Sequence, residues 1–168
     1  MKKKYILLLM LLLIIIISIC LIYRNNNKED TDIKVKYPIY EYYKLNKVIT
    51  ENINYYLKDN TDNYYFLYID YKDYEYKEYI SIVLYISYFT GGAHPNYEIK
   101  TINYNKSTNK FIDIDDLINR DKDILNKLSI YSREYFSNND MFNDKVVFDM
   151  MIDGTKSIKD NYKYFNIT

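Results

Sequence analysis

The residues best suited to chemistry in this 168-residue chain lie in one short run, Phe89-Thr90-Gly91-Gly92-Ala93-His94-Pro95-Asn96. It holds two of the three glycines, one of the two prolines and the only histidine. Gly-Gly permits positive φ and close backbone approach, and Pro95 biases His94 toward an extended conformation. Thr90, Gly91, Gly92, Ala93, His94 and Pro95 are therefore expected to form a fixed-shape connection between two strands. Three roles are open to the imidazole. It can hydrogen-bond the loop or its neighbours, recognise a ligand, or join Asp113, Asp115 or Asp116 in binding zinc or relaying protons. One histidine and no nearby cysteine leave only carboxylates to complete a metal set. The structural role is preferred, no residue is assigned to catalysis, and neither metal nor cofactor is expected.

Asp113-Ile114-Asp115-Asp116-Leu117 gathers oxygens that could hold calcium, but it lacks the spacing and glycine of an EF-hand loop. Aspartate is also a preferred helix-starting residue, so capping and turn chemistry is the expectation. Cys20 is the only cysteine, which removes disulfide frameworks, thiolate zinc sites and cysteine nucleophiles. With 23 basic and 23 acidic residues the formal charge is +0, and no nucleic-acid partner is expected. The 23 tyrosines accompany abundant Lys, Asn and Ile, all encoded by AT-rich codons, and are expected to pack where Phe, Leu or Trp would otherwise sit.

Elements must position these residues, and the first is an anchor. Lys2, Lys3 and Lys4 precede an apolar run over residues 5–23 that is long enough to span a bilayer as a helix. The run ends without an A-x-A-like cleavage site, so an uncleaved signal anchor is expected, N-terminus inside. Bulky Ile19 before Cys20 argues against lipidation, and Cys20 reads as a small apolar residue facing lipid. The expected organisation is a cytoplasmic N-terminus (1–4), a transmembrane helix or signal anchor (5–23), a linker (24–32) and an extracytoplasmic domain (33–168).

Within the domain, Ile33, Val35 and Tyr37 alternate with lysines as a short strand that Pro38 ends. Leu45, Val48, Ile49, Ile53, Tyr56 and Leu57 make a helical stripe. A strand around Tyr65 to Tyr71 should reach a charged turn at Lys72-Asp73. The strongest strand, Glu78 to Phe89, puts Ile80, Ile82, Leu84 and Ile86 on the face that should meet the helix. Tyr97 to Tyr104 resumes as a strand whose apolar phase slips between Ile99 and Ile102, as at a bulge. Phe111-Ile112 returns through a hairpin, and a helix over residues 121–136 carries the stripe Ile124, Leu128, Tyr131 and Tyr135. Phe142, Val146, Val147, Met150 and Met151 suggest a third helix, and Tyr162 to Ile167 the start of a strand. The fold class is α+β, an antiparallel sheet packed by two or three helices.

The run from Tyr88 to Ile118 resembles the extracellular domain of unknown function shared by RsiV-type anti-sigma factors and PdaC-type peptidoglycan deacetylases. Thr90 to Pro95 match its T-GG-AH-P loop, Asp116-Leu117 match its D-L helix start, and Tyr37-Pro38 with Asn52-Ile53-Asn54 resemble its first half. The resemblance implies a closing strand with a P-Y-A-x-G-like sequence beyond Ile167, so an uncovered edge is expected here. It also implies the outward-facing module alone, without a sigma-binding segment or catalytic domain. The expected function is a membrane-anchored binding or sensing module that recognises a lysozyme-like protein or a peptidoglycan fragment. A wall glycan hydrolase or deacetylase, or an accessory domain of one, using His94 and nearby Asp is the alternative. A binding module should show an exposed apolar or aromatic patch, and an enzyme a pocket converging on His94 with a shifted pKa.

Overall fold

A computed structural model describes residues 13–19, 31–58, 64–137 and 144–167 of the chain. Of the expected anchor, residues 13–19 are helical with exposed side chains, and the rest of residues 5–23 lies outside the described residues, as does Phe142. Among the described residues no helix is long and apolar enough to cross a membrane.

Among the described residues the domain is built on a five-stranded sheet in sequence order: β1 (Asp32–Val35), β2 (Phe66–Tyr76), β3 (Tyr79–Phe89), β4 (Asn96–Asn105) and β5 (Lys110–Phe111). Helix α1 (Tyr43–Leu57) connects β1 to β2, and such a crossover brings the second strand back parallel to the first. The sheet is therefore mixed, whereas the sequence pattern led us to expect antiparallel strands throughout. Helices α2 (Ile114–Arg120), α3 (Ile124–Ser137) and α4 (Lys145–Gly154) follow the last strand.

Helix α1 forms where expected. Leu45, Ile49, Ile53 and Tyr56 recur at helical spacing and are buried against Leu67, Ile69, Ile80, Ile82, Leu84, Ile86, Ile102 and Tyr104. Burying an aliphatic side chain of this size contributes about 1.5–3 kcal/mol, so this one interface dominates the stability of the domain. No side chain caps the first turn of α1. Its approach is set instead by Asn46, whose Oδ1 accepts from Tyr40 N–H and whose Nδ2 donates to Tyr40 C=O.

Two local expectations fail in the strands, each because pairing outweighs local pattern. No turn occurs at Lys72-Asp73. β2 runs on to Tyr76, with Lys72 opposite Val83 and Asp73 opposite Ile82, and the chain reverses at Lys77-Glu78, where Lys77 has φ +53°. No bulge interrupts β4 either, since its register with β3 is regular from Asn96 to Asn105. The apparent slip is a change of environment: Ile102 and Tyr104 face the core, Ile99 lies on the opposite face, and Glu98 and Lys100 occupy core-face positions.

The expected helix over residues 121–136 begins late, at Ile124, after the separate short helix α2. Its inward face is also rotated, for Tyr131 and Tyr135 are exposed while Ser129 is buried. Ser129 Oγ donates to Thr155 C=O, and Arg133 Nε donates to Thr155 Oγ1, so polar contacts with the end of α4 choose the face. Asp144 caps α4 by accepting from the backbone N–H groups of Val146 and Val147.

The segment expected to begin a strand from Tyr162 forms bends and coil, and it crosses the sheet face opposite α1. Ile167 N–H donates to Ser81 Oγ at 3.0 Å, Ser81 Oγ donates to Asn103 Oδ1, and Asn103 Nδ2 donates to Phe165 C=O at 2.9 Å. Both side chains are buried, so the relay satisfies groups that would otherwise be desolvated without partners. Truncation of Asn103 to Ala should lower stability by about 1–3 kcal/mol and speed amide exchange at residues 165–167, while α1 keeps its protection. Equilibrium denaturation with hydrogen exchange measures both effects.

Candidate functional site

The loop of residues 90–95 joins β3 to β4 as expected, and both glycines take positive φ, +93° at Gly91 and +121° at Gly92. A Cβ at either position would be strained by backbone conformation alone. Thr90, Gly91, Gly92, Ala93 and His94 are exposed and Pro95 is half-buried. His94 places Nδ1 2.9 Å from the carbonyl oxygen of Pro95, where the N–H tautomer donates to it.

His94 and the aspartates do not converge. β4 is ten residues long, and at about 3.3 Å per residue it puts His94 roughly 30 Å from the β5 end of the strand. Asp113, Asp115 and Asp116 follow β5, so the acid–base or metal partnership considered for them has no geometric basis. They start a helix instead. Asp113 Oδ1 accepts from Asp116 N–H and Asp116 Oδ2 accepts from Asp113 N–H, a reciprocal capping box, while Asp115 pairs with Lys159. Among the described residues no group of three or more His, Cys, Asp or Glu side chains could hold a metal ion.

Sequence reasoning missed a polar cluster that begins three residues beyond the loop, at Glu98. Glu98 accepts hydrogen bonds from Tyr56 Oη at 2.6 Å and Tyr88 Oη at 2.9 Å, and Lys100 Nζ lies over the rings of Tyr55 and Tyr56 at 4.8 and 4.9 Å from their centroids. Tyr88 also packs edge-on against Tyr64. The signal was present as the supposed phase slip, because Glu98 and Lys100 sit opposite Ile86 and Leu84 in a register that demands core-facing side chains. The Tyr56 hydroxyl, then that of Tyr88 and the charge of Lys100, hold the Glu98 carboxyl below its ordinary value against the opposing effect of burial. Burial and then Glu98 raise Tyr56, whereas for Tyr88 the bond to Glu98 is the larger cause.

The other face of the same strands is open and aromatic. Tyr85, Tyr97 and Ile99 are 40%, 76% and 53% exposed, and Phe66 and Tyr68 stack beside them with ring centroids 4.9 Å apart. Tyr68, Asp70, Tyr85, Ser87, Tyr97 and Ile99 line a concavity of about 360 Å³ there. A second concavity of about 310 Å³, almost wholly apolar, is lined by residues of α3 and α4 including Phe136, Val147 and Met150. His94 lines neither.

The Glu98 cluster gives a pH dependence whose sign follows from its depressed folded-state pKa. The stabilisation is fully present above the ordinary carboxyl value of 4.5 and is lost as pH falls through the lower folded-state value. Glu98→Gln should cost about 1–2 kcal/mol at pH 7 and flatten the loss of stability on acidification, measured by urea midpoints at pH 7 and pH 3. Parallel wild-type and variant curves across that range would show that the carboxylate contributes nothing specific.

No family model matches the chain. It is 36% identical over 101 residues to the peptidoglycan-N-acetylmuramic acid deacetylase PdaC of Bacillus subtilis (strain 168), a match covering 59% of this chain and 21% of that protein. The chain thus spans about a fifth of the length of this curated relative. A crystal structure of a DUF3298 family protein from Pseudomonas aeruginosa PAO1 aligns with a TM-score of 0.34 and 18% identity, covering 56% of this chain and 47% of that one. Over the segment matched in sequence, the chain shares a domain with PdaC-like proteins.

Proposed function

We propose that this chain is a membrane-anchored, extracytoplasmic module that binds a component of the bacterial cell wall and carries out no turnover itself. The observation that carries this reading is the open aromatic face around Tyr85 and Tyr97, with Asp70 and Ser87 also in its lining. Flat phenol rings present apolar faces with polar tips, and a sugar ring offers C–H faces bordered by hydroxyls, so stacking and hydrogen bonding can be satisfied together. Similarity to a protein named for acting on peptidoglycan supports the same class of ligand. The resemblance to RsiV-type domains makes a lysozyme-like, wall-acting protein the competing ligand on this face.

The hydrolase or deacetylase alternative asks more of the site. His94 is exposed, bonds only the neighbouring Pro95 carbonyl and has no carboxylate partner among the described residues. General acid–base work needs a group held within hydrogen-bond reach of a bound substrate, and neither concavity described above offers His94 that position.

Anchoring rests on the lysine-flanked apolar run over residues 5–23, whose described part is helical and exposed. The full-length protein should sediment with membranes and its domain should be digested by protease added outside intact cells. Recovery of the full-length chain in the soluble fraction would overturn the anchor.

For binding, Tyr85→Ala and Tyr97→Ala should each weaken retention on purified peptidoglycan about tenfold or more, equivalent to about 1.4 kcal/mol or more per ring, while His94→Ala binds as wild type. Retention of the full chain on an immobilised lysozyme but not on peptidoglycan would assign the face to the protein ligand. Release of acetate or reducing sugar that His94→Ala abolishes in a folded variant would replace the binding reading with an enzymatic one.

A further inference from the structure

Strand β4 has an unprotected edge. β5 covers only Tyr104 and Asn105, and Ile112 N–H reaches Asn103 C=O. Because Asn103 points its carbonyl away from β3, the alternation of the strand turns the N–H and C=O groups of Tyr97, Ile99 and Thr101 outward as well. Among the described residues none of these groups has a hydrogen-bond partner across that edge. The opposite edge, β1, is short and carries Lys34, with Lys36 and Pro38 just beyond it, the usual devices against edge pairing. β4 carries no proline and leaves Tyr97 and Ile99 exposed beside its open edge.

We propose that this edge pairs with the same edge of a second copy of the chain, antiparallel about a two-fold axis through Ile99. The charges select both the occupant and the register. With Ile99 opposite Ile99, Tyr97 faces Thr101 of the other copy, and the outward groups of 97, 99 and 101 all meet as hydrogen-bonded pairs. On the α1 face, Glu98 then stands opposite Lys100, twice by symmetry, and opposite charges across a strand pair are favourable. The neighbouring symmetric registers are penalised. An axis through residue 98 sets Glu98 against Glu98, and one through residue 100 sets Lys100 against Lys100. Joining the two sheets also places both aromatic faces side by side, giving one platform for a long ligand. The inference goes beyond the binding reading and does not depend on it.

The test uses the full chain in detergent micelles with Cys20, the only cysteine, replaced by Ser. In this background Ile99→Cys should form an intermolecular disulfide under mild oxidation, because hydrogen-bonded antiparallel partners have Cα atoms about 5.5 Å apart. Thr101→Cys should cross-link at least tenfold more slowly, its two copies lying about 14 Å apart in this register, whereas a mixture of Tyr97→Cys and Thr101→Cys chains should cross-link readily. Both Ile99 and Tyr97 are exposed, so these substitutions leave the core intact. Adding Glu98→Lys or Lys100→Glu to Ile99→Cys should suppress the disulfide about tenfold, and mixing the two charge variants should restore it as a heterodimer. Equal cross-linking rates at residues 99 and 101 would overturn the proposal. So would a chain that stays monomeric by light scattering at about 100 μM while the amides of Tyr97, Ile99 and Thr101 are protected from exchange, since another segment would then occupy the edge.

Discussion

Strand β3 is flanked by β2 and β4 and must be covered on both faces along its middle, and most of the architecture answers that requirement. Toward α1 it presents Ile80, Ile82, Leu84 and Ile86, all almost fully removed from solvent. An apolar row of this kind needs an apolar partner, and α1 supplies one through Leu45, Ile49, Ile53 and Tyr56. On the other face Ser81 and Val83 are also buried. Ser81 can be enclosed there only because Asn103 and the backbone of the C-terminal segment take its hydrogen bonds. The two faces are therefore closed by different physics, one by apolar area and one by a short polar relay.

Tyrosine does much of the work that larger aliphatic side chains do elsewhere, and it brings an obligation with it. Each enclosed phenol needs a partner for its hydroxyl. Tyr56 and Tyr88 find Glu98, Tyr40 finds Asp73, and Tyr104 finds Asn109 at the positive-φ turn before β5. These partners are charged or polar groups at the margins of the core, so the ring body is buried while its tip ends in a hydrogen bond. Where no such partner or cover exists among the described residues, as at Tyr85 and Tyr97, the ring stays exposed.

The loop of residues 90–95 and the cluster around Glu98 differ in how visible each is to composition. Residue types drew attention to His94 because it is the only histidine, yet its surroundings give it little to act with. Asp113, Asp115 and Asp116 looked like partners in a linear reading, but a ten-residue strand stands between them and the loop. The chemistry that the fold does gather, a carboxylate shared by two phenols beside a lysine over two rings, comes from three elements, α1, β3 and β4, and spans 45 positions along the chain, Tyr55 to Lys100.

Local pattern was enough wherever burial and local periodicity agree. The stripe of α1, the aliphatic face of β3, the positive-φ glycines at residues 91 and 92 and the aspartate-led start of α2 were legible because each depends on residues within a turn or a strand of one another. Long-range pairing decided the rest. It carried β2 past Lys72-Asp73, because a register with β3 satisfies backbone groups that a turn would leave to water. It made the apparent slip in β4 a regular strand with Glu98 and Lys100 on the core face. Contacts of Ser129 and Arg133 with Thr155 turned α3 away from its tyrosine stripe, and the buried Ser81–Asn103 pair drew the C-terminal segment across the sheet in place of a strand. The sequence by itself determined which segments carry apolar faces and where the backbone must bend. Only the tertiary structure decided which faces stay open and which polar groups meet, because those depend on partners distant in sequence whose contributions no local window contains.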